Sequence, residues 1–377
     1  MTVYERARAL LESTPLVDGH NDLPWALREL GGPDPVTAVA RTDIASRVAA
    51  LQTDIPRLRE GRVGVQFWSV FVPCSLAGPE AMAAVLEQVE LVRLLTEAYP
   101  DDLALATTAG VARAGFDGGR VGSLLGAEGG HCIDGSLEHL RTLGDLGVRY
   151  MTLTHNLNTG WADSATDEPV HGGLSDFGHE VVREMNRIGM LVDLSHVAAT
   201  TMRDALATTT RPIVFTHSSC RAVTDHPRNV PDEVLAALPG NGGVCMVTFV
   251  PRFVSSAAAD WDRELQTSME AAGIDHRDLT ARGAFEAAWT GPLCPSATLD
   301  DVVRHVEHAR EVAGIDHIGI GGDFDGTPEL PVGLEDVSCY PALVAALMER
   351  GWSDEDCAKL AGRNALRALA DAEVSGG

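Results

Sequence analysis

Eight short apolar runs, rich in Val, Ile and Leu, recur at 15–18, 63–72, 121–127, 148–154, 190–194, 213–216, 243–249 and 317–321. Strands covered on both faces read as continuous apolar runs instead of alternating ones. Stretches of helical spacing separate them, among them 43–60, 79–99, 136–146, 176–188, 198–206, 231–238 and 299–312. Gly147 and Gly189 stand between a helix and the next strand, where a glycine ends a helix well. Ser353-Asp-Glu-Asp356 opens a last helix with a capping-box pattern. Strand then helix, eight times over, predicts an α/β chain closed into a (β/α)8 TIM barrel, with an open doubly wound sheet as the alternative.

A chain of 377 residues that is 45% hydrophobic is large enough for one such barrel with insertions, although length alone also permits two domains. No Pro/Gly linker or internal repeat divides it, so residues 1–377 are read as a single barrel domain. One segment breaks the rhythm. About 251–296 separates the seventh and eighth strands and is too long for an ordinary connection. It contains Trp261 and Trp289 in helix-like stretches and is read as a helical insertion near the barrel mouth. A peripheral hairpin with no role at the mouth is the competing reading.

The formal net charge is −25, from 29 Lys and Arg against 54 Asp and Glu. So acidic a surface repels phosphate backbones and excludes nucleic acid as an expected partner. The seven cysteines are scattered and form no CxxC pair, which argues against a zinc finger or a disulfide framework. The N-terminus has no apolar signal core and no run approaches membrane-spanning length, so a cytoplasmic protein with no membrane partner is expected.

Chemistry-bearing side chains cluster where the predicted strands end, and in a (β/α)8 barrel the working residues come from those C-terminal ends. His20 and Asp22 follow the first strand as His-x-Asp, a spacing that points both side chains to one side of an extended segment. Glu128 ends the third strand, His196 the fifth, His217 the sixth and Asp323 the eighth. A carboxylate at the end of an apolar strand must be paired, protonated or metal-bound. Taken singly, each residue fits a hydrogen-bonded structural role; six converging on one rim point to a metal-dependent hydrolase. Three imidazoles with carboxylates suit zinc or a similar divalent ion. Five ligands exceed the needs of one catalytic zinc, which predicts two ions about 3.5–4 Å apart around a shared carboxylate. A carboxylated lysine is nearly excluded as that bridge, because the sole lysine, Lys359, lies in the C-terminal helix. Glu128 takes its place.

His155 follows the fourth strand and is expected to reach the pocket, and Arg228, after the sixth, is placed to clamp a carboxylate. The alternative for Arg228 is an ordinary surface ion pair. His139, His305 and His308 lie on predicted helices and are expected to be solvated. His131, His171, His179 and His226 flank loops and receive no role.

At these residues the chain resembles the membrane (renal) dipeptidase family, peptidase family M19 of the amidohydrolase superfamily. The similarity runs through Asp-Gly-His-Asn-Asp-Leu-Pro (18–24), Gly-Ala-Glu-Gly (126–129), Arg-Tyr-Met-Thr-Leu-Thr-His-Asn (149–156) and Asp-Leu-Ser-His (193–196). It continues through Thr-His-Ser-Ser (216–219), Arg-Asn-Val-Pro (228–231), Gly-Gly-Asp-Phe-Asp-Gly (321–326), Gly-Leu-Glu-Asp-Val-Ser (333–338) and Gly-Arg-Asn-Ala-Leu-Arg (362–367). The resemblance implies an amidohydrolase-type barrel that hydrolyses small dipeptides, with a C-terminal D-residue an expected substrate feature. It implies that His20 and Asp22 bind one Zn2+, that His196 and His217 bind a second, and that Glu128 and a hydroxide bridge the two. It further implies that His155 faces the scissile carbonyl, that Arg228 holds the substrate carboxylate, that Asp323 handles protons and that the protein forms a homodimer. Mammalian members carry a signal peptide and a lipid anchor, and neither signal is found here. The segment before the eighth strand also reads as longer than theirs. A mononuclear deaminase on the same barrel is the rival enzyme, disfavoured by Asp22 and Glu128, and a catalytically silent peptide binder is the rival outside enzymes.

Overall fold

The computed structural model describes residues 1–373; residues 374–377 lie outside the described residues. Nine strands form its sheet: β1 (Leu16–Asn21), β2 (Val63–Phe71), β3 (Leu103–Leu105), β4 (Val121–Glu128), β5 (Val148–Thr152), β6 (Leu191–Asp193), β7 (Ile213–Phe215), β8 (Val244–Val247) and β9 (Ile318–Ile320). They pair in the order β2-β1-β9-β8-β7-β6-β5-β4, and a further β2–β4 pairing closes the ring. All of these ladders are parallel, so eight strands make the (β/α)8 barrel that the apolar runs predict. The ninth, β3, is an addition. It pairs with Val121–Ser123 of β4, along the half of that strand that precedes the pairing with β5.

Val17, Val65, Leu124, Leu191, Val214 and Val244 are among the side chains that fill the lumen, and the closing helix Asn364–Ala372 seals its floor with Ala365, Ala368 and Leu369. The interior is therefore a packed core and leaves the chemistry to the rim. The ends of neighbouring strands are level there: Phe71 pairs with Glu128, Glu128 with Thr152, and Thr152 with Asp193.

Two expectations change. The helix expected over 43–60 is only Ile55–Glu60, because Asp54 caps it and Pro56 sits in its first turn. His305 is fully buried instead of solvated. It shares the inward stripe of its helix with Val302, Val303, Val306 and Ala309, and its Nδ1 accepts the Cys220 N–H at 3.0 Å.

Between β8 and the helix Leu299–Ala313 the chain forms the helices Pro251–Val254, Ser256–Ala271 and Leu279–Ala287. This segment touches two loops of the rim. Arg277 pairs with Asp167 in the loop after β5, and Asp262 lies 3.5 Å from His226 in the loop after β7.

Candidate metal centre

The site begins with a steric allowance on β4. A Cβ at Gly126 would overlap the Tyr150 ring, so glycine there lets that ring lie flat against the strand. The Tyr150 hydroxyl then sits 2.8 Å from His20 Nδ1. With Nδ1–H donating to this oxygen, the lone pair of His20 Nε2 faces the pocket. A similar device orients His217. The Thr216 hydroxyl donates to Asp193 Oδ2 at 2.7 Å and stands 2.9 Å from His217 Nδ1, the position for accepting that N–H. The lone pair of His217 Nε2 is again left free. Asp193 also accepts the Ser195 and Thr216 backbone N–H groups, which ties together the two loops that present His196 and His217.

Glu128 divides the pocket. Its Oε2 lies 3.4 Å from His20 Nε2 and accepts the Ser69 hydroxyl at 3.2 Å. Its Oε1 lies 3.0 Å from His196 Nε2 and 3.4 Å from His217 Nε2. Asp22 Oδ2 stands 3.3 Å from His20 Nε2, and Asp323 Oδ1 stands 3.9 Å from the same atom. Three overlapping triads converge: His20, Asp22 and Glu128; Glu128, His196 and His217; His20, His217 and Asp323. Every metal-type residue read from the strand ends is thus brought to one rim.

The donor set fits divalent cations. His20 Nε2 and Asp22 Oδ1 are buried without a hydrogen-bond partner, and His196 and His217 aim their Nε2 atoms at each other across 3.0 Å. Two orphaned atoms and two imidazole nitrogens facing each other, within a set of three imidazoles and two carboxylates, are what a ligand shell for zinc requires. Burial pushes the His196 and His217 imidazoles well below their usual range, so both are neutral, the form that binds metal. Burial also works to raise the Glu128 carboxyl, but His20, His196 and His217 hold it well below the usual range. Two of the site residues adopt a left-handed backbone rare for non-glycine residues, His196 at φ +68° and Asp323 at φ +63°.

His155, Arg228 and Asp323 complete the rim. His155 Nε2 lies 3.9 Å from Glu128 Oε1, and burial lowers its pKa to about 4. The Cys74 thiol lies 3.4 Å from its Nδ1. Arg228 is only 3% exposed and makes no ion pair among the described residues, which removes the surface-pair reading. Its Nη1 is buried without a partner, and its guanidinium lies over the Phe253 ring at 5.1 Å. Burial lowers it to about 10, so it stays charged at neutral pH. Asp323 is pushed up to about 7 by burial and by Asp22 and Glu128, against the opposing pull of His20.

Tyr150, Thr216, Asp193, Cys74 and Ser69 are additions that sequence reasoning did not single out. Tyr150 and Thr216 lie within the motifs quoted above, yet Tyr150 meets His20 and Thr216 meets Asp193 from other strands. No spacing rule reveals those contacts.

A parallel barrel with imidazoles and carboxylates gathered on its C-terminal rim is an architecture able to hold the metal of a hydrolase. The chain belongs to the family described as membrane dipeptidase, peptidase family M19, whose sequence profile matches residues 4–376. Solved structures agree on the fold. The probable dipeptidase PvdM from Pseudomonas aeruginosa is 23% identical, with 98% of each chain covered and a TM-score of 0.85. A metallopeptidase from Rhodobacter sphaeroides, liganded with a phosphinate mimic of the dipeptide L-Ala-D-Ala, is 23% identical over 95% of this chain and 99% of its own, at a TM-score of 0.77. An amidohydrolase from Pseudomonas aeruginosa is 20% identical over 97% and 98%, at 0.74. Among the described residues, no helix is long and apolar enough to cross a membrane.

Proposed function

We propose that this chain hydrolyses the amide bond of dipeptides, those with a C-terminal D-residue included, using two Zn2+ ions. The observation that carries this reading is the division of Glu128, one oxygen toward His20 and the other toward His196 and His217. In this reading His20 and Asp22 hold one ion, His196 and His217 hold the other, and Glu128 serves both. Bound zinc supplies a water acidified toward a pKa of about 7 and polarises the scissile carbonyl.

The remaining work falls to the chain. Arg228, buried and without an ionic partner among the described residues, binds the free carboxylate bidentately and so favours short substrates over internal peptide bonds. His155, kept neutral by burial, presents Nε2–H to the carbonyl oxygen as negative charge develops there. Asp323, raised to about 7, takes the proton of the attacking water and returns it to the leaving amine. The Rhodobacter sphaeroides neighbour, with its L-Ala-D-Ala mimic, supports both the substrate class and the D-residue. The seven cysteines, all unpaired, support a reducing compartment such as the cytoplasm. We also read residues 1–377 as one domain that pairs as a homodimer.

The test is a panel of L,L- and L,D-dipeptides assayed for free amino acids, with metal content measured alongside. Two zincs per chain and turnover of the panel support the reading. One zinc per chain with ammonia released from an amino-substituted ring would place the chain among mononuclear deaminases instead. A fully loaded protein with no turnover would make it a peptide binder.

A further inference from the structure

The segment over 251–296 meets the Arg228 loop through a buried chain of polar contacts. Asp262, on the helix Ser256–Ala271, is 1% exposed. Its Oδ1 faces Arg282 and, at 3.4 Å, Arg252. Its Oδ2 accepts from Gln266 Nε2 at 2.8 Å and lies 3.5 Å from His226 Nε2. On the other side of that imidazole, Nδ1 accepts the Arg228 backbone N–H at 3.2 Å. An Nδ1 that accepts places the proton on Nε2, so the same tautomer donates toward Asp262. The His226 ring packs on Phe253, centroid to centroid 4.6 Å, and the other partner of Phe253 is the Arg228 guanidinium. Asn229 Nδ2 donates to the Thr224 and Phe253 carbonyls, each at 2.8 Å, and so fastens the next residue to the same floor.

We infer that the 251–296 segment is a positioning device for Arg228: Asp262 fixes His226, His226 holds the Arg228 backbone, and Phe253 carries the guanidinium. His226 and Asp262 touch no reacting atom. They act through Arg228, and the inference rests on the reading of Arg228 as the carboxylate clamp. Asp262 already meets two arginines and a glutamine, so its fold role is served without His226. The imidazole is the part of the chain that links the segment to the clamp.

The test uses the zinc-loaded full-length protein, Ala-Ala, and Ala-Ala amide, which lacks the carboxylate. His226→Phe keeps the ring on Phe253 and removes both nitrogens. It is expected to lower kcat/KM for Ala-Ala about tenfold, through KM, and to leave the amide unchanged. On an Arg228→Met background the same change is expected to cost nothing further, because the group it positions is gone. His226→Gln, whose amide can still accept the Arg228 N–H, should recover part of the loss. Asp262→Asn provides a second route if His226→Phe does not fold, with the same selectivity expected. Equal losses on both substrates, or a full additional loss on the Arg228→Met background, would overturn the inference and leave the clamp intact. If Arg228→Met itself fails to distinguish Ala-Ala from its amide, the clamp reading falls and takes the inference with it.

Discussion

Two buried acidic clusters lie on the same face of this barrel and are built on opposite principles. In the helical segment, Asp262 is answered by Arg252, Arg282, Gln266 and His226. On the rim, Asp22, Glu128 and Asp323 crowd together with Arg228 as the nearby permanent cation, and buried atoms of His20 and Asp22 have no partner. The first cluster is neutralised by the chain itself and belongs to the fold. The second asks for positive charge from outside. The contrast shows how to tell structural burial of charge from a site: the sum of the surrounding charges decides, and depth does not.

The largest effect expected from this contrast is on turnover. Glu128→Gln should lower the dipeptide rate on the order of a thousandfold in zinc-supplemented assays while the metal-free fold is retained, as circular dichroism would report. A variant with near-normal turnover would erase the distinction between the two clusters. Asp262→Ala leaves Arg252 and Arg282 to share Glu286 as counter-charge, and we expect it to cost about 3 kcal/mol of stability in denaturant melts. Zinc should act in the reverse sense on the rim alone. At a hundredfold excess over Kd it should stabilise the metal-free protein by about 2.7 kcal/mol, seen as a higher Tm. Glu128→Gln should weaken that response, and Asp262→Asn should leave it intact.

The smallest effect is a difference in pH dependence, with opposite signs in the two clusters. The Asp262 carboxyl is held well below its ordinary value by His226, Arg252 and Arg282 against the pull of burial. Its stabilisation is present above the ordinary carboxylate range and is lost only as the pH falls below it. Asp323 is raised from 3.8 to about 7, so the folded state binds its proton more tightly than the unfolded chain does. Stability of the metal-free protein should fall through this group as the pH rises across that window. Comparing Asp323→Asn with the parent at pH 5 and pH 8 should isolate on the order of 2 kcal/mol of this slope. A slope of the other sign would mean that the pull of His20 and Arg228 outweighs burial at Asp323.

Most of the barrel was legible because its signal is local. Each run from Val63 to Ile320 is short, apolar and bounded, and each became a barrel strand near the expected residues. The strand ends also fixed where His20, Glu128, His196, His217 and Asp323 would meet, since a closed parallel barrel leaves them a single rim. What escaped were features without a local signal. Leu103–Leu105 is three residues long and exists as a strand only because β4 offers an open edge there. His305 looked like a surface residue until its place on the buried stripe of the helix was fixed by Val302 and Val306. Tyr150, Thr216 and His226 are defined by what they touch across the fold.

The left-handed backbone at His196 and Asp323 has an evolutionary corollary. A glycine at either position would relax the main chain, by about 1 kcal/mol, and at Asp323 would also delete a half-buried acid. Descendants of this barrel freed from their catalytic duty would therefore find an easy downhill route at these two codons. A relative with glycine in both places would be a sturdier molecule and a retired enzyme.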